Sequence, residues 1–162
     1  MKTKQATQIE LKFNPETAPP PTMPVLSWAE SRAEYKRGPA LCSPSESAAY
    51  FKKYIGGMER EVFLVMYLDH RNQVLDCVAS NYGTVDHAAV YPREILKTAL
   101  ALNASGIILA HNHPAGSLTP SEADRHLTRQ IQEASRALGI TVHDHLIVAH
   151  EGSFSFRQAG LL

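Results

Sequence analysis

An apolar run in the second half of the chain leads directly into a pair of histidines. Residues 106–110, with the sequence GIILA, have the length and composition of a buried strand, and His111 and His113 follow at once. Side chains at i and i+2 of an extended chain point to the same side, so both imidazoles can bind one ion. The chain must therefore fold so that the end of a buried strand opens onto a cation site.

The residues after the histidines predict a helix that completes this site. Residues 119–122, with the sequence TPSE, form a capping-box signature, and Asp124 lies in the first turns of the predicted helix. Two imidazoles and a carboxylate are the ligands of a catalytic zinc, which leaves one position to water, whereas structural zinc sites are closed by four ligands. The sequence therefore predicts a Zn²⁺ ion held by His111, His113 and Asp124.

A hydrolytic zinc site also needs a carboxylate base. Zinc lowers the pKa of a bound water to about 7, and a base has to accept the proton and pass it to the leaving group. Glu61 is the preferred base, because it stands immediately before the apolar run at residues 62–68, which is typical of a central strand. The other candidates are Glu59, Glu94 and Glu122.

Ser121 is predicted to stabilise negative charge rather than to attack the substrate, because no base adjoins it. It lies three residues before Asp124, on the same face of the predicted helix. Unpaired N–H groups and the helix dipole favour negative charge at a helix N-terminus. We therefore predict that Ser121 donates a hydrogen bond to a tetrahedral oxyanion, the alternative being an ordinary serine at a helix start.

A second histidine pair, His143 and His145, shows that such a pair alone indicates little. Both residues lie in a predicted strand, where a buried histidine usually hydrogen-bonds a backbone partner. We predict a structural role for this pair, with support of the metal ligands as the alternative.

The remaining pattern predicts an α/β domain, because strands are interspersed with three helices around a mixed sheet. The predicted strands cover residues 62–68, 73–80, 83–90, 106–110, 141–149 and 153–156. The predicted helices follow the Ser43 cap as far as Ile55, Pro92 as far as Leu102, and the 119–122 signature as far as Gly139. On the last helix the predicted buried positions are Ala123, Leu127, Ile131, Ala134 and Leu138.

Residues 1–40 are predicted to form an N-terminal arm, and residues 41–162 the folded domain. Six of the ten prolines precede residue 40, and proline fixes φ and lacks an N–H donor, so much of this stretch should be extended. A short helix is predicted at residues 28–36.

Charge and cysteine content favour a cytoplasmic protein without a membrane partner. The formal net charge is zero and the pI about 7.1, so no global basic field attracts DNA or anionic membranes, although a local basic patch would escape this argument. Cys42 and Cys77 form no disulfide framework, which favours a reducing compartment. The sequence has neither a secretory signal nor an apolar stretch long enough for a membrane span.

A family resemblance follows from these residues. His-x-His, with Ser eight residues on and Asp three further, resembles the JAMM (MPN+) metalloprotease motif. More closely, the sequences YPRE at 91–94, LNA at 102–104, ILAHNHP at 108–114 and DH at 144–145 resemble the bacterial RadC family. The resemblance covers roughly residues 42–162.

The resemblance implies a JAMM/MPN-like (cytidine-deaminase-like) α/β fold, a mixed sheet flanked by helices. It also implies zinc held by His111, His113 and Asp124, with Ser121 as the oxyanion partner, and the glutamate of the motif maps by position onto Glu61. The chain resembles the short form of the family, because the proline-rich arm cannot supply the N-terminal helix-hairpin-helix region of the long form.

The predicted function is that of a zinc-dependent hydrolase that cleaves an amide or isopeptide bond in a protein or peptide. One alternative is a DNA-processing nuclease, although such enzymes often use two metals held by several carboxylates, and here only Asp124 is an evident acidic ligand. The other is a binding module that keeps the fold without turnover, which would have no need of all four motif residues. The sequence indicates neither the substrate nor the oligomeric state.

Overall fold

The computed structural model describes residues 43–82 and 90–162. The elements in this part of the chain are α1 (Pro44–Ile55), β1 (Val62–Leu68), β2 (Val74–Tyr82), α2 (Pro92–Ala101), β3 (Gly106–Asn112), α3 (Glu122–Ala137), β4 (Thr141–Val148) and β5 (Ser153–Ser155). The predicted arm, its short helix and residues 83–89 of the predicted third strand lie outside the described residues.

The five strands form one mixed sheet in the order β2-β1-β3-β4-β5. β1 pairs antiparallel with both β2 and β3, and β4 pairs antiparallel with β5. β3 and β4 pair in parallel, and α3 makes the crossover that a parallel pair requires. The predicted mixed sheet with flanking helices is confirmed.

Alternation along β1 sends its side chains into two apolar layers, one on each face of the sheet. Phe63, Val65 and Tyr67 belong to the layer that also contains the buried residues of α2 and Ile131 of α3. The residues of β1 that alternate with these three point to the other face of the sheet and belong to the opposite layer, which contains Phe51 of α1. The prediction that this strand is covered on both faces is therefore correct, and burial of both layers supplies most of the driving force for folding.

The same alternation along β3 separates the histidine site from its neighbour in sequence. Ile107 and Leu109 lie in the α2–α3 layer, whereas Ile108 and Ala110 lie in the α1 layer. Continuing the alternation, His111 faces the α2–α3 side and Asn112 faces the α1 side.

Helix α3 begins two residues later than its predicted capping box. Its N-cap is Ser121, whose hydroxyl accepts a hydrogen bond from the Asp124 N–H at 3.1 Å, while the Asp124 carboxylate accepts from the Ser121 N–H at 2.7 Å. This reciprocal pair, rather than one centred on Thr119, provides acceptors for the N–H groups of Ser121 and Asp124.

The buried face of α3 also differs from the prediction at both ends. Ala123 and Leu138 are exposed, and the fully buried positions are Thr128, Ile131 and Ser135. The N-terminal half of this face is polar because it covers the histidines rather than the apolar core. Among the helices of residues 43–82 and 90–162, none has the length and apolar character needed to span a bilayer.

Candidate metal centre

Three side chains converge where β3 ends and α3 begins. His111, His113 and Asp124 each present one ligand atom, and these atoms all lie within 4.8 Å of one another. The strand places both imidazoles on one side, and the N3 position of α3 turns the carboxylate back towards them. The structure therefore brings together the three residues that the sequence predicts as metal ligands.

The spacing of these atoms fits a tetrahedral cation. Donors about 2.1 Å from a zinc ion at tetrahedral angles lie roughly 3.4 Å apart. The two Nε2 atoms are 3.0 Å apart, and they lie 3.4 Å (His111) and 3.8 Å (His113) from oxygens of Asp124. The measured separations are close to the ideal value, with the two imidazoles facing different oxygens of the carboxylate, and three donor residues leave the fourth position open.

Hydrogen bonding orients His113 for ligation. Its Nδ1 lies 2.8 Å from the carbonyl oxygen of Ser117, and a carbonyl only accepts, so Nδ1 carries the proton. In the neutral ring Nε2 then has a free lone pair, which is directed at the same point as Nε2 of His111.

Asp124 is held in its ionised form. Partial burial by itself raises the pKa of this carboxyl, but the adjacent His111 ring and the hydrogen bonds that Ser121 donates outweigh burial and hold the pKa well below its usual range. An ionised carboxylate between two imidazoles is the state that a cation requires.

Ser121 lies beside Asp124, and its hydroxyl is engaged there. The hydroxyl donates to Oδ2 of Asp124 at 2.6 Å while it accepts from the N–H of the same residue. The side chain is exposed at the helix N-terminus. Its role towards an oxyanion stays a prediction, and it requires the hydroxyl to turn away from the carboxylate.

Glu61 is exposed and immediately precedes β1. Phe63 pairs in register with His111, and the two rings stack with centroids 6.0 Å apart. Residues 61 and 63 share a face if the extended chain continues, which directs Glu61 to the side of the sheet that carries His111. Its role as the base stays a prediction.

The other three glutamates that were candidates for the base lie at exposed positions, two of them in ion pairs on the helices. Glu94 is exposed on α2, with Arg93 and Lys97 as ion-pair partners. Glu122 pairs with Arg125 on α3 at 3.6 Å, and Glu59 is exposed before β1.

Two residues lie behind the site: Thr128, which the sequence did not single out, and His145, for which support of the metal ligands was the alternative to a structural role. His145, predicted to bind a backbone partner, is fully buried, and its ring lies 2.8 Å from His111 Nδ1 and 2.6 Å from Thr128 Oγ1. The parallel register of Leu109 with His145 creates this contact, and nothing local in the sequence specifies a register. One signal was available, since Thr128 lies one helical turn after Asp124 on the same face.

Comparison with known proteins agrees with the fold and the motif. The family model of the RadC-like JAB domain matches residues 41–161. A UPF0758 protein of Burkholderia thailandensis is 43% identical over 122 residues, which are 75% of this chain and 47% of that protein. UPF0758 proteins of Vibrio atlanticus and Pseudoalteromonas translucida are each 42% identical, over 76% and 85% of this chain and 55% and 61% of their own lengths.

The chain thus spans about half the length of these relatives. The residues that the family model matches include every residue of the candidate site. With the mixed sheet, the histidine pair and the carboxylate all in place, the chain belongs to the family of proteins with a RadC-like JAB domain.

Proposed function

We propose that the protein is a zinc-dependent hydrolase that cleaves an amide or isopeptide bond in a protein or peptide. The observation that carries the proposal is the convergence of two imidazole Nε2 atoms and one carboxylate within 4.8 Å. Membership of a family with a JAB domain supports hydrolytic chemistry at this position. The donor set of nitrogen and oxygen atoms suits zinc, with His111, His113 and Asp124 as its ligands.

The chain's own residues divide the remaining work. A bound zinc ion supplies Lewis acidity, which polarises a carbonyl and makes water acidic enough to react near neutral pH. Glu61 accepts the proton of the attacking water and delivers it to the departing nitrogen. Ser121 releases Asp124 and donates its hydroxyl hydrogen to the oxygen of the tetrahedral intermediate.

Exposure supports Glu61 in this role, because a base that serves a large substrate has to be reachable from solvent. Its side chain is exposed, and strand β1 behind it is anchored in two apolar layers. We also propose a cytoplasmic location, which agrees with the free thiol of Cys77 in the described part of the chain.

The first experiment measures zinc content and peptide cleavage in the full chain and in matched variants. Wild-type protein should hold about one zinc, and His113→Ala and Asp124→Ala should lose it. Glu61→Gln should keep the metal while turnover falls about 10²–10⁴-fold, the usual contribution of a general base. Glu59→Gln is the matched control, since Glu59 is exposed two residues away.

Substrates should include peptide libraries, isopeptide-linked peptides, and single-stranded and branched DNA. Cleavage of DNA that depends on Asp124 would replace the proposal with a nuclease. A protein that stays metal-free in excess zinc, or a Glu61→Gln variant as active as Glu59→Gln, would contradict it.

A further inference from the structure

We propose that Thr128 and His145 are positioning residues that hold His111 in the tautomer with hydrogen on Nδ1, so that its Nε2 lone pair is free for the cation. The tautomer follows from the hydrogen bonds alone, and its role towards the cation rests on the function proposed above.

The chain of hydrogen bonds starts at a backbone carbonyl. Thr128 Oγ1 lies 2.5 Å from the carbonyl oxygen of Asp124, one turn earlier on α3. A carbonyl oxygen has no hydrogen, so the hydroxyl of Thr128 must donate its only hydrogen there. The hydroxyl oxygen can then only accept from any other partner.

The next partner is the buried ring of His145. Its Nδ1 lies 2.6 Å from Thr128 Oγ1, and because that oxygen can only accept, Nδ1 of His145 carries hydrogen. The ring is fully buried between Phe63 and Phe156, and its two nitrogens contact a hydroxyl and an imidazole. Neither contact supplies the negative charge that a buried imidazolium would need, so the ring is neutral and its Nε2 accepts.

The last link determines the state of His111. Its Nδ1 lies 2.8 Å from Nε2 of His145, which accepts, so Nδ1 of His111 donates. The opposite tautomer of His111, with hydrogen on Nε2, would require His145 to donate from its own Nε2 and to turn the lone pair of Nδ1 towards Thr128. The hydrogen of Thr128 is already directed at the carbonyl oxygen of Asp124. His111 Nε2 therefore faces the site without hydrogen, as does Nε2 of His113 at 3.0 Å. Two lone pairs at this distance repel each other unless a cation lies between them.

Two phenylalanine rings hold the imidazoles of His111 and His145 in the orientation that this series of hydrogen bonds requires. Phe63 stacks on His111 with an angle of 8° between the rings, and Phe156 stacks on His145 with an angle of 18°. Asp124 takes part at both ends, because its carbonyl anchors Thr128 while its carboxylate faces His111. One residue thus supplies a ligand and the anchor for the tautomer of another ligand.

The test combines a metal-free and a metal-bound readout on the full chain. Long-range ¹H–¹⁵N correlation spectra of metal-free, ¹⁵N-histidine-labelled protein at pH 8 identify the tautomer of each ring. We expect His111 and His145 of the wild type to carry hydrogen on Nδ1. Thr128→Val, which removes the hydroxyl at nearly constant volume, should give mixed tautomers for both rings.

Zinc affinity, measured by competition with a chelator, should follow the spectra. Thr128→Val should bind zinc about 10–100-fold more weakly, the usual effect of losing a group behind a histidine ligand. Thr128→Ser keeps the hydroxyl and should restore both the spectrum and the affinity. Ser135→Ala removes another buried hydroxyl of α3 and should change neither, which controls for a loosened helix.

Hydrogen on Nε2 of wild-type His111, or unchanged zinc affinity in Thr128→Val, would overturn the inference. If zinc binds tightly and its affinity depends on Thr128, but no hydrolysis is observed, only the proposed function is refuted. A wild-type protein that binds no zinc would overturn the proposed function and the role of the two residues towards the cation, and the metal-free spectra would then decide the tautomer by themselves.

Discussion

Asn112 accepts a hydrogen bond from the N–H of Val62 at 2.7 Å, which joins the end of β3 to the first residue of β1. The same side chain donates to the carbonyls of Met58 and Arg60 at 3.1 and 3.0 Å. It is only 1% exposed, so these bonds form away from water. Strand β3 therefore carries the metal ligands on one face, and with the other face it holds the segment that contains Glu61.

Replacing Asn112 should affect the positioning of Glu61 more than the binding of zinc. Asn112→Ala removes the partner of one buried N–H group and of two part-buried carbonyls, so we expect the free energy of unfolding to fall by about 2–4 kcal/mol. The kcat should fall more than the zinc affinity, because the segment with Glu61 loses its anchor. Urea denaturation measures the free energy of unfolding, chelator competition measures the zinc affinity, and peptide cleavage measures the kcat. Asn112→Asp keeps the acceptor for Val62 but turns a buried carboxylate oxygen towards two carbonyl oxygens, so it should be at least as destabilising as the Ala variant. An Ala variant with normal turnover would refute the link.

Zinc should stabilise the folded chain by mass action. At a free zinc concentration 100 times the Kd, binding adds about 2.7 kcal/mol to the free energy of unfolding. We expect thermal unfolding to move to higher temperature when zinc is added to chelator-treated protein. His113→Ala should abolish the shift, whereas His126→Ala, at an exposed histidine of α3, should keep it. Equal shifts in both variants would mean that zinc binds elsewhere.

The thiol of Cys77 should react slowly while the protein is folded. Burial raises its pKa to about 12, and the charge of Asp76 adds to the rise. At pH 8 only about one thiol in 10⁴ is ionised, so reaction should be roughly a thousandfold slower than for an ordinary cysteine. Cys42→Ser leaves Cys77 as the single thiol, and a disulfide reagent measures its rate with and without urea. A rate that urea does not change would contradict this expectation.

Asp144 should stabilise the connection between β4 and the C-terminal residues. It is buried, and its carboxylate accepts from the hydroxyl of Ser155 at 2.5 Å, the N–H of Arg157 at 3.0 Å and the N–H of His145 at 2.8 Å. Asp144→Asn replaces one acceptor oxygen by a donor, which should cost about 1–3 kcal/mol in denaturant unfolding.

Glu151→Gln serves as the control for Asp144→Asn, since Glu151 is an exposed acidic residue between β4 and β5. Its effect should stay within about 0.5 kcal/mol. Equal stability of the two variants would show that the hydrogen bonds of Asp144 contribute little.

Local patterns were enough to predict the five strands and three helices that the described residues contain, together with the group of candidate ligands. The alternation of β3 orients His111 and His113 together, and the helix period brings Asp124 back to them, so both relationships are visible within fifteen residues. The partners behind them were not predictable in this way. His145 reaches His111 through strand register, and Asn112 bonds backbone groups 50 to 54 residues away.

The start of α3 shows a second limit of pattern reasoning. Thr119 and Ser121 are both acceptable caps, and the sequence TPSE favours the first. The structure selects Ser121, because Asp124 can return its hydrogen bond while it also faces the histidines. The choice of cap thus depends on the position that Asp124 takes beside the histidines, and the capping propensities of Thr119 and Ser121 carry no information about that position.

Asp124 and Thr128 stand one turn apart on α3, and the groups that they contact belong to the two strands which this helix connects. A slide of α3 along the sheet would withdraw the carboxylate and the hydroxyl in a single movement. The helix therefore couples one candidate ligand to the hydroxyl that lies behind another, and the two depend on the same docking of α3 against the sheet.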